Sequence, residues 1–109
     1  MTISYKVLGQ LNPTANTLST VYTVPASNSA VISTVVVCNQ GANSSSFRLA
    51  VIPSGNTILG KHYLNYDTPI PGNDSIAITI GVTLAANDSI SANALTSGIS
   101  FNIFGSEIY

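Results

Sequence analysis

The side chains that most often carry nucleophilic and acid–base catalysis are scarce in this sequence. His62 is the single histidine and Cys38 the single cysteine among 109 residues. A hydrolytic triad would have to use His62, because it needs an imidazole between a nucleophile and a carboxylate. No serine stands in a G-x-S-x-G elbow. We therefore predict no enzymatic activity and no catalytic residue, with Cys38 a small buried apolar residue and His62 a polar position of a strand or loop.

Oxygen ligands for a metal ion occur at two similar corners of the chain. Asn73-Asp74-Ser75-Ile76 recurs as Asn87-Asp88-Ser89-Ile90, 14 residues later. Calcium could use these amide and carboxylate oxygens if the corners met, but consecutive antiparallel strands begin at opposite ends of a sheet. The pattern favours two Asx turns, in which a side chain folds back on its own backbone. We expect no metal and no cofactor.

The segment 61–67 (KHYLNYD) holds the densest mixture of groups able to bind a ligand. If side chains alternate strictly along a strand, the odd-numbered residues of this segment lie on one face, which we expect to be exposed. The even-numbered residues lie on the opposite face. Three interpretations stay open: an edge strand with one face in the core, a protein interface, and a glycan site. The candidate interface residues are these odd-numbered four and two near the C-terminus: Lys61, Tyr63, Asn65, Asp67, Glu107 and Tyr109.

The sequence predicts that these residues lie on β-strands and the turns between them. Apolar and polar residues alternate nearly everywhere, and turn clusters recur every 8–14 residues, which is typical of an antiparallel sandwich or small barrel. We predict one all-β domain over residues 1–109, a β-sandwich of about eight strands, jelly-roll or immunoglobulin-like, with no helix longer than two turns. The predicted strands are Ser4–Gln10, Leu18–Val24, Ala30–Asn39, Ser46–Ile52, Ile58–Tyr66, Ser75–Ile80, Ser89–Ala94 and Ile99–Gly105.

The β-branched residues of these strands define the expected core. Val31–Cys38 is apolar on both faces toward its C-terminal end, as expected of a central strand that is covered on both sides. Ser75–Ile80 alternates cleanly and is expected to be half-buried. The residues expected in the core are Val21, Val35, Val37, Leu49, Val51, Ile76, Ile78, Ile80, Ile90, Phe101 and Ile103.

Charge is unusually low. Three basic and four acidic residues make up 6% of the chain, against about 25% in ordinary domains. Three cations cannot neutralise a row of phosphates, so we expect no nucleic-acid binding. No apolar run approaches the roughly 20 residues that a membrane helix needs, and the start MTISYKVLGQ has no secretory pattern. Low charge is compatible with a surface covered by partners, because charged residues are depleted at interface centres.

Most of the chain, from about Gly9 to Glu107, resembles a group of small virion proteins of tailed phages, notably phages of cyanobacteria and other aquatic bacteria. The shared features are sandwich strands and turns, without a catalytic signature. The segments that carry the resemblance are Leu18–Ala26, Ala30–Asn39, Phe47–Val51, Lys61–Leu64, Tyr66–Ile70, Leu84–Asp88 and Ser100–Glu107.

The resemblance implies a structural part of a virion, made in the host cytoplasm. Such proteins are capsid cement or decoration proteins, or small modules of the neck, tail or fibre. The expected function is that of a cement protein that binds the assembled shell; the alternative is a tail or fibre module that binds host-surface glycan. The expected partners are the major capsid or tail proteins and further copies of this chain, without nucleic acid or membrane.

Overall fold

The computed structural model describes residues 1–109 as eight β-strands and one 3-10 helix. None of its helices has the length and apolar character needed to cross a membrane. The strands are β1 (Ile3–Leu11), β2 (Ser19–Thr23), β3 (Ser29–Asn39), β4 (Ser45–Ile52), β5 (Tyr63–Ile70), β6 (Asp74–Leu84), β7 (Ser89–Ala94) and β8 (Ile99–Ile108), and the helix η1 is Gly60–His62.

The strands form two four-stranded antiparallel sheets packed face to face. One has the order β1-β8-β3-β6 and the other β2-β7-β4-β5. The pairs β1/β8, β2/β7, β3/β6 and β4/β5 are those of one long hairpin folded over itself, which is the jelly-roll arrangement. The predicted eight-stranded β-sandwich is confirmed, and of the two topologies left open the chain adopts the jelly roll.

The predicted strands match the observed ones closely except at β5 and β6. β5 begins at Tyr63 rather than Ile58, because the backbone N–H of Leu59 donates to His62 Nδ1 (2.9 Å) and closes the η1 turn first. It continues through Pro69, which an edge strand tolerates because one of its sides has no ladder partner. β6 continues beyond its predicted end at Ile80 as far as Leu84. A bulge opposite β3 accommodates one extra residue, so the pairing resumes after it.

The core lies between the two sheets and contains 16 buried residues. Phe47 and Phe101, from opposite sheets, meet edge to face with ring centroids 5.9 Å apart, the geometry that aromatic quadrupoles favour. Of the residues expected in the core, the following are buried: Val35, Val37, Leu49, Ile90, Phe101 and Ile103.

Five expected core residues are only half-buried, although they pack against the core: Val21, Val51, Ile76, Ile78 and Ile80. For the three isoleucines the reason is topological, because β6 is the last strand of its sheet and has no neighbour on one side. For Val21 the reason is local. A register shift between Thr20 and Tyr22 turns Tyr22 inward instead.

β3 is a central strand, as predicted, but only its inner face is covered. Val35 and Val37 are buried between the sheets, whereas Val36 and Cys38 on the outer face are half-buried. The predictions that both faces are covered and that Cys38 is buried are wrong. A two-layer sandwich places no third layer on the outer side of the sheet.

The two similar corners are turns, as predicted. Asn73 and Asn87 adopt left-handed φ angles of 55° and 67°, which asparagine tolerates better than most residues. Asp74 Oδ1 accepts a hydrogen bond from the next backbone N–H (2.8 Å). The Asp88 carboxylate accepts from the backbone N–H groups of Ala85 (2.9 Å) and, across the sequence, Ser54 (2.8 Å). Both carboxylates therefore serve the backbone.

Candidate functional site

β5 does not alternate simply, and the predicted division of its residues into two faces is wrong. Its register against β4 shifts twice along the pairing. Asp67 takes a left-handed φ of 53°, an uncommon conformation for a residue other than glycine and one that occurs where strands bulge. The result brings Tyr63, Tyr66 and Asp67 together beside Arg48 of β4. We call these four residues the arginine–tyrosine cluster.

The guanidinium of Arg48 organises the cluster. Its Nε donates to Asp67 Oδ1 (2.7 Å) and a terminal nitrogen donates to Oδ2 (3.2 Å), which is the two-point geometry that guanidinium and carboxylate share. Its central carbon lies 3.9 Å from the centroid of the Tyr66 ring, within cation–π range. The Tyr66 ring in turn meets Tyr63 edge to face, at 4.9 Å and 87°. The four side chains hold one another in a single arrangement.

Electrostatically the cluster is neutral. The hydrogen bonds from Arg48 lower the pKa of Asp67 below its ordinary range, and the same bonds raise the pKa of Arg48. Both groups therefore stay charged and paired across the physiological pH range. Because the pair is open to solvent, it adds little to folding stability. Its effect is to fix the position of two aromatic rings at the surface.

A polar cleft of about 220 Å³ opens beside the cluster. This volume is below the roughly 300 Å³ at which pockets for small organic ligands begin, so the cleft suits one protruding side chain or one polar ring. Asn16, with a left-handed φ of 56° and its N–H bonded to Ala94 O, lies at the cleft. The lining residues are Asn16, Ser46, Phe47, Arg48, Asp67, Asn93 and Leu95.

Glu107 does not belong to an exposed contact surface, contrary to the prediction. It is 4% exposed, because β8 turns it into the space between the sheets. Its Oε2 accepts a hydrogen bond from the Tyr22 hydroxyl (2.6 Å), and its Oε1 pairs with Lys6 Nζ (2.6 Å). These bonds lower the pKa of Glu107, while burial and the adjacent carboxylate raise the pKa of Tyr22. The Glu107 carboxylate on β8 therefore links its own sheet to Tyr22 of the opposite sheet.

The other predicted interface residues are scattered. Lys61 is exposed in η1, before the strand. Asn65 is half-buried, and its amide donates to Thr68 Oγ1 (3.3 Å). Tyr109 is 56% exposed, and its backbone pairs with Thr2 at the other end of the chain. Of the six predicted residues, only Tyr63 and Asp67 contact the same cluster.

Sequence reasoning missed Arg48, Tyr66, Asn16 and Asn93 as members of this surface. Arg48 did carry a signal, since it is one of three cations and stands in the middle of a predicted strand. A charge at such a position requires a partner or solvent. The predicted face of Tyr66 is wrong, because the alternation of residues along the sequence does not reveal the two register shifts of β5.

The outer face of the β1-β8-β3-β6 sheet is a second uncovered surface. Tyr5 is 81% exposed and Val7 48% exposed on β1, and Phe104 lies opposite Val7 on β8. The ammonium group of Lys6, next to Tyr5, is paired with the carboxylate of Glu107. This face therefore presents aromatic and aliphatic side chains with neutral polar ones between them.

The described residues contain no group of three or more His, Cys, Asp or Glu side chains that could hold a metal ion. Comparison of the chain with models of protein families and with curated proteins finds no match. The geometry of the cleft and the arginine–tyrosine cluster therefore defines the site. That geometry offers aromatic surface, a neutral ion pair and amide groups, which are means of binding.

Proposed function

We propose that this chain is a non-enzymatic structural protein of a phage virion, a capsid cement or decoration protein that binds the assembled shell and stabilises it. The arginine–tyrosine cluster is the observation that supports this proposal best. Tyrosine and arginine are the residue types that most often dominate binding energy at protein interfaces, and here four side chains fix one another before any partner arrives. Binding to a pre-organised surface loses less side-chain entropy.

Fold and resemblance agree with the proposal. Jelly rolls occur in viral capsid and lectin domains, although the fold alone does not assign a function. The sequence segments of these strands and turns resemble those of small tailed-phage virion proteins, and this resemblance is the basis for proposing the virion as the setting. The major capsid protein is then the partner, and the virion is the location.

Linkage explains how such a protein acts without chemistry. A molecule that binds the assembled shell but not its dispersed subunits stabilises assembly, by about 2.7 kcal/mol per site at a hundredfold excess over its dissociation constant. Many copies per particle multiply this contribution. The low charge of the chain, seven ionisable Asp, Glu, Lys and Arg residues in 109, limits the desolvation cost of covering its surface.

The test is deletion of the gene followed by measurement of heat-induced DNA release from purified particles. We expect release at a lower temperature without the protein, and quantitative mass spectrometry of normal particles should find copies in proportion to the capsid protein. Unchanged heat release together with a handful of copies per particle would overturn the cement proposal.

A point substitution tests whether the arginine–tyrosine cluster carries the binding to the shell. Tyr66→Ala removes the ring that stacks on Arg48, and loss of a central tyrosine from an interface typically costs about 2 kcal/mol, roughly 30-fold in affinity. Tyr5→Ala removes an exposed tyrosine ring from the opposite sheet and serves as the matched control. We expect weaker attachment to particles lacking the protein only for the Tyr66 variant, with equal unfolding temperatures for both.

The cleft supports a second candidate, a tail or fibre module that binds host-surface glycan. Asn16, Asn93 and the Arg48–Asp67 pair line the cleft and supply polar groups of the kind that bind sugar hydroxyls. Asn93→Ala should then abolish binding to a glycan array. If deletion leaves heat release unchanged but abolishes adsorption to host cells, this second function replaces the first.

A further inference from the structure

The free edge of β6 is the longest unpaired strand edge of the molecule. β6 spans Asp74–Leu84 and is hydrogen-bonded only to β3, since it is the last strand of its sheet. Its other side leaves a row of backbone N–H and C=O groups without a protein partner. Such an edge is a template on which another strand can pair.

The other three edge strands carry the features that prevent pairing. β1 contains Lys6 and a register shift after Val7. β2 has five residues and a register shift of its own. β5 contains Pro69, which has no N–H, and two register shifts. Charge, proline, bulges and short length are the means by which natural sheets protect their edges.

β6 has almost none of this protection. From Ser75 to Leu84 it contains no charged residue and no proline. Its one bulge, at Ile80–Gly81 opposite β3, leaves the stretch from Asp74 to Thr79 in regular register. Within it, residues 75–79 form an uncharged edge of five residues, which is a full strand by ordinary standards.

The core side of the same edge is also incomplete. Ile76, Ile78, Ile80 and Val82 face the core and pack against it, yet each remains half-exposed. A further strand alongside β6 would cover this row, because cross-strand neighbours on one face lie within about 5.5 Å. One additional strand beside β6 would therefore both pair its free backbone groups and cover its half-exposed side chains.

We propose that the neighbour is β6 of a second copy of this chain, paired antiparallel about a twofold axis perpendicular to the sheet. That axis keeps the two core faces on the same side, so each isoleucine row covers the other and the two sheets become one eight-stranded sheet. A twofold interface must be complementary to itself, and an uncharged row meets its own copy without repulsion. The inference rests on the edge alone and does not depend on the virion proposal.

Sedimentation velocity of the purified chain tests the interface. We expect a dimer that dissociates on dilution, and a dissociation constant raised about tenfold or more by Ala77→Lys, because this substitution places two like charges near the twofold axis. Residue 77 is exposed on the outer face of β6, so the variant should fold. Thr20→Lys, an exposed position on the β2 edge, is the matched control and should dimerise normally.

Hydrogen exchange supplies a measurement that does not depend on a variant. Raising the concentration of the normal chain through the dimer transition should slow exchange of backbone amides in β6, without change in β1 or β2. A chain that sediments as a monomer at all accessible concentrations would overturn the proposal. So would a dimer that tolerates Ala77→Lys but is broken by Tyr5→Lys, which would place the contact on the outer face of the sheet instead.

Discussion

At the scale of single residues, one carboxylate joins the two sheets at one end of the sandwich. Glu107 on β8 is bonded to the hydroxyl of Tyr22 on β2 and to Lys6 on β1. A buried carboxylate is stable only when donors surround it. The Tyr22 ring meanwhile belongs to the apolar core, so one side chain serves both packing and the polar contact.

Removing the Tyr22 hydroxyl should therefore destabilise the fold. Tyr22→Phe keeps the ring but leaves the carboxylate without its buried donor, and we expect a loss of about 1.5–3 kcal/mol in the free energy of unfolding. Urea unfolding measures this loss. Tyr5→Phe, at an 81% exposed position, should change the value by less than about 0.5 kcal/mol; equal effects of the two variants would contradict the assignment.

The same carboxylate should give stability a dependence on acid. Hydrogen bonds from Lys6 and Tyr22 hold the pKa of Glu107 below its ordinary value of 4.5. A lowered pKa in the folded state contributes stability that is present above the unfolded pKa and is lost as pH falls through the folded pKa. Below about pH 4.5, the normal chain should lose stability more steeply than Glu107→Gln in urea unfolding.

A second substitution is the comparison for this acid effect. The pKa of Asp67 is also lowered, by Arg48, so its loss acts in the same direction. The Arg48–Asp67 pair is exposed, however, and solvent screens it. Asp67→Asn should change the acid dependence much less than Glu107→Gln. The reverse order would mean that the exposed pair, and not the buried carboxylate, carries the acid sensitivity.

At the scale of elements, bulges shape this sandwich as much as regular ladders do. The pairings of β1, β2, β5 and β6 each contain a register shift. In β5 the shifts assemble the arginine–tyrosine cluster, and in β2 the shift turns Tyr22 toward Glu107. Bulges redirect side chains without changing strand order. The bulges therefore position both the arginine–tyrosine cluster and the contact between Tyr22 and Glu107.

Gly105 offers a test at this scale, because it lies where β8 pairs with the shifted part of β3. A Cβ at residue 105 would collide with the backbone carbonyl oxygen of Val31 and approach the Leu8 side chain. We expect Gly105→Ala to lower stability by about 1–3 kcal/mol in thermal unfolding, as overpacking does. Gly81→Ala meets open space and should be neutral or slightly stabilising; a similar loss for both would contradict this account.

At the scale of the whole molecule, neutral polar residues far outnumber charged ones. The net charge is −1, and serine, threonine and asparagine number 15, 11 and 11. These groups hydrogen-bond to water without producing long-range repulsion between copies. Such a surface allows copies of the chain to approach one another closely, as the proposed dimer requires.

Self-association should accordingly depend little on salt. Between about 0.1 M and 1 M sodium chloride the Debye length falls from roughly 10 to 3 Å, yet we expect the dimer dissociation constant to change less than about twofold. Sodium sulfate should strengthen association, since it favours the burial of surface. Sedimentation across the salt series measures both effects, and a tenfold weakening in sodium chloride would show that charges drive the contact.

The local conformation of the strands and turns follows from the amino-acid sequence alone. Period-two alternation and β-branched residues predicted the all-β sandwich, and Asn-Asp corners predicted the turns at 73–74 and 87–88. Each of these features depends on residues a few positions apart. The alternation is a property of the extended backbone, and an Asx turn closes within two or three residues.

The jelly-roll order, the faces of β5 and the partners of the charged residues depend instead on tertiary packing. Glu107 meets Tyr22 across 85 positions, and Arg48 meets Asp67 across 19. Strand alternation is the same whichever strands become neighbours, so it cannot distinguish an edge from a centre or a bulge from a regular pair. A single-residue shift of register reverses which face a side chain takes, and that shift is set by the packing of the opposite strand.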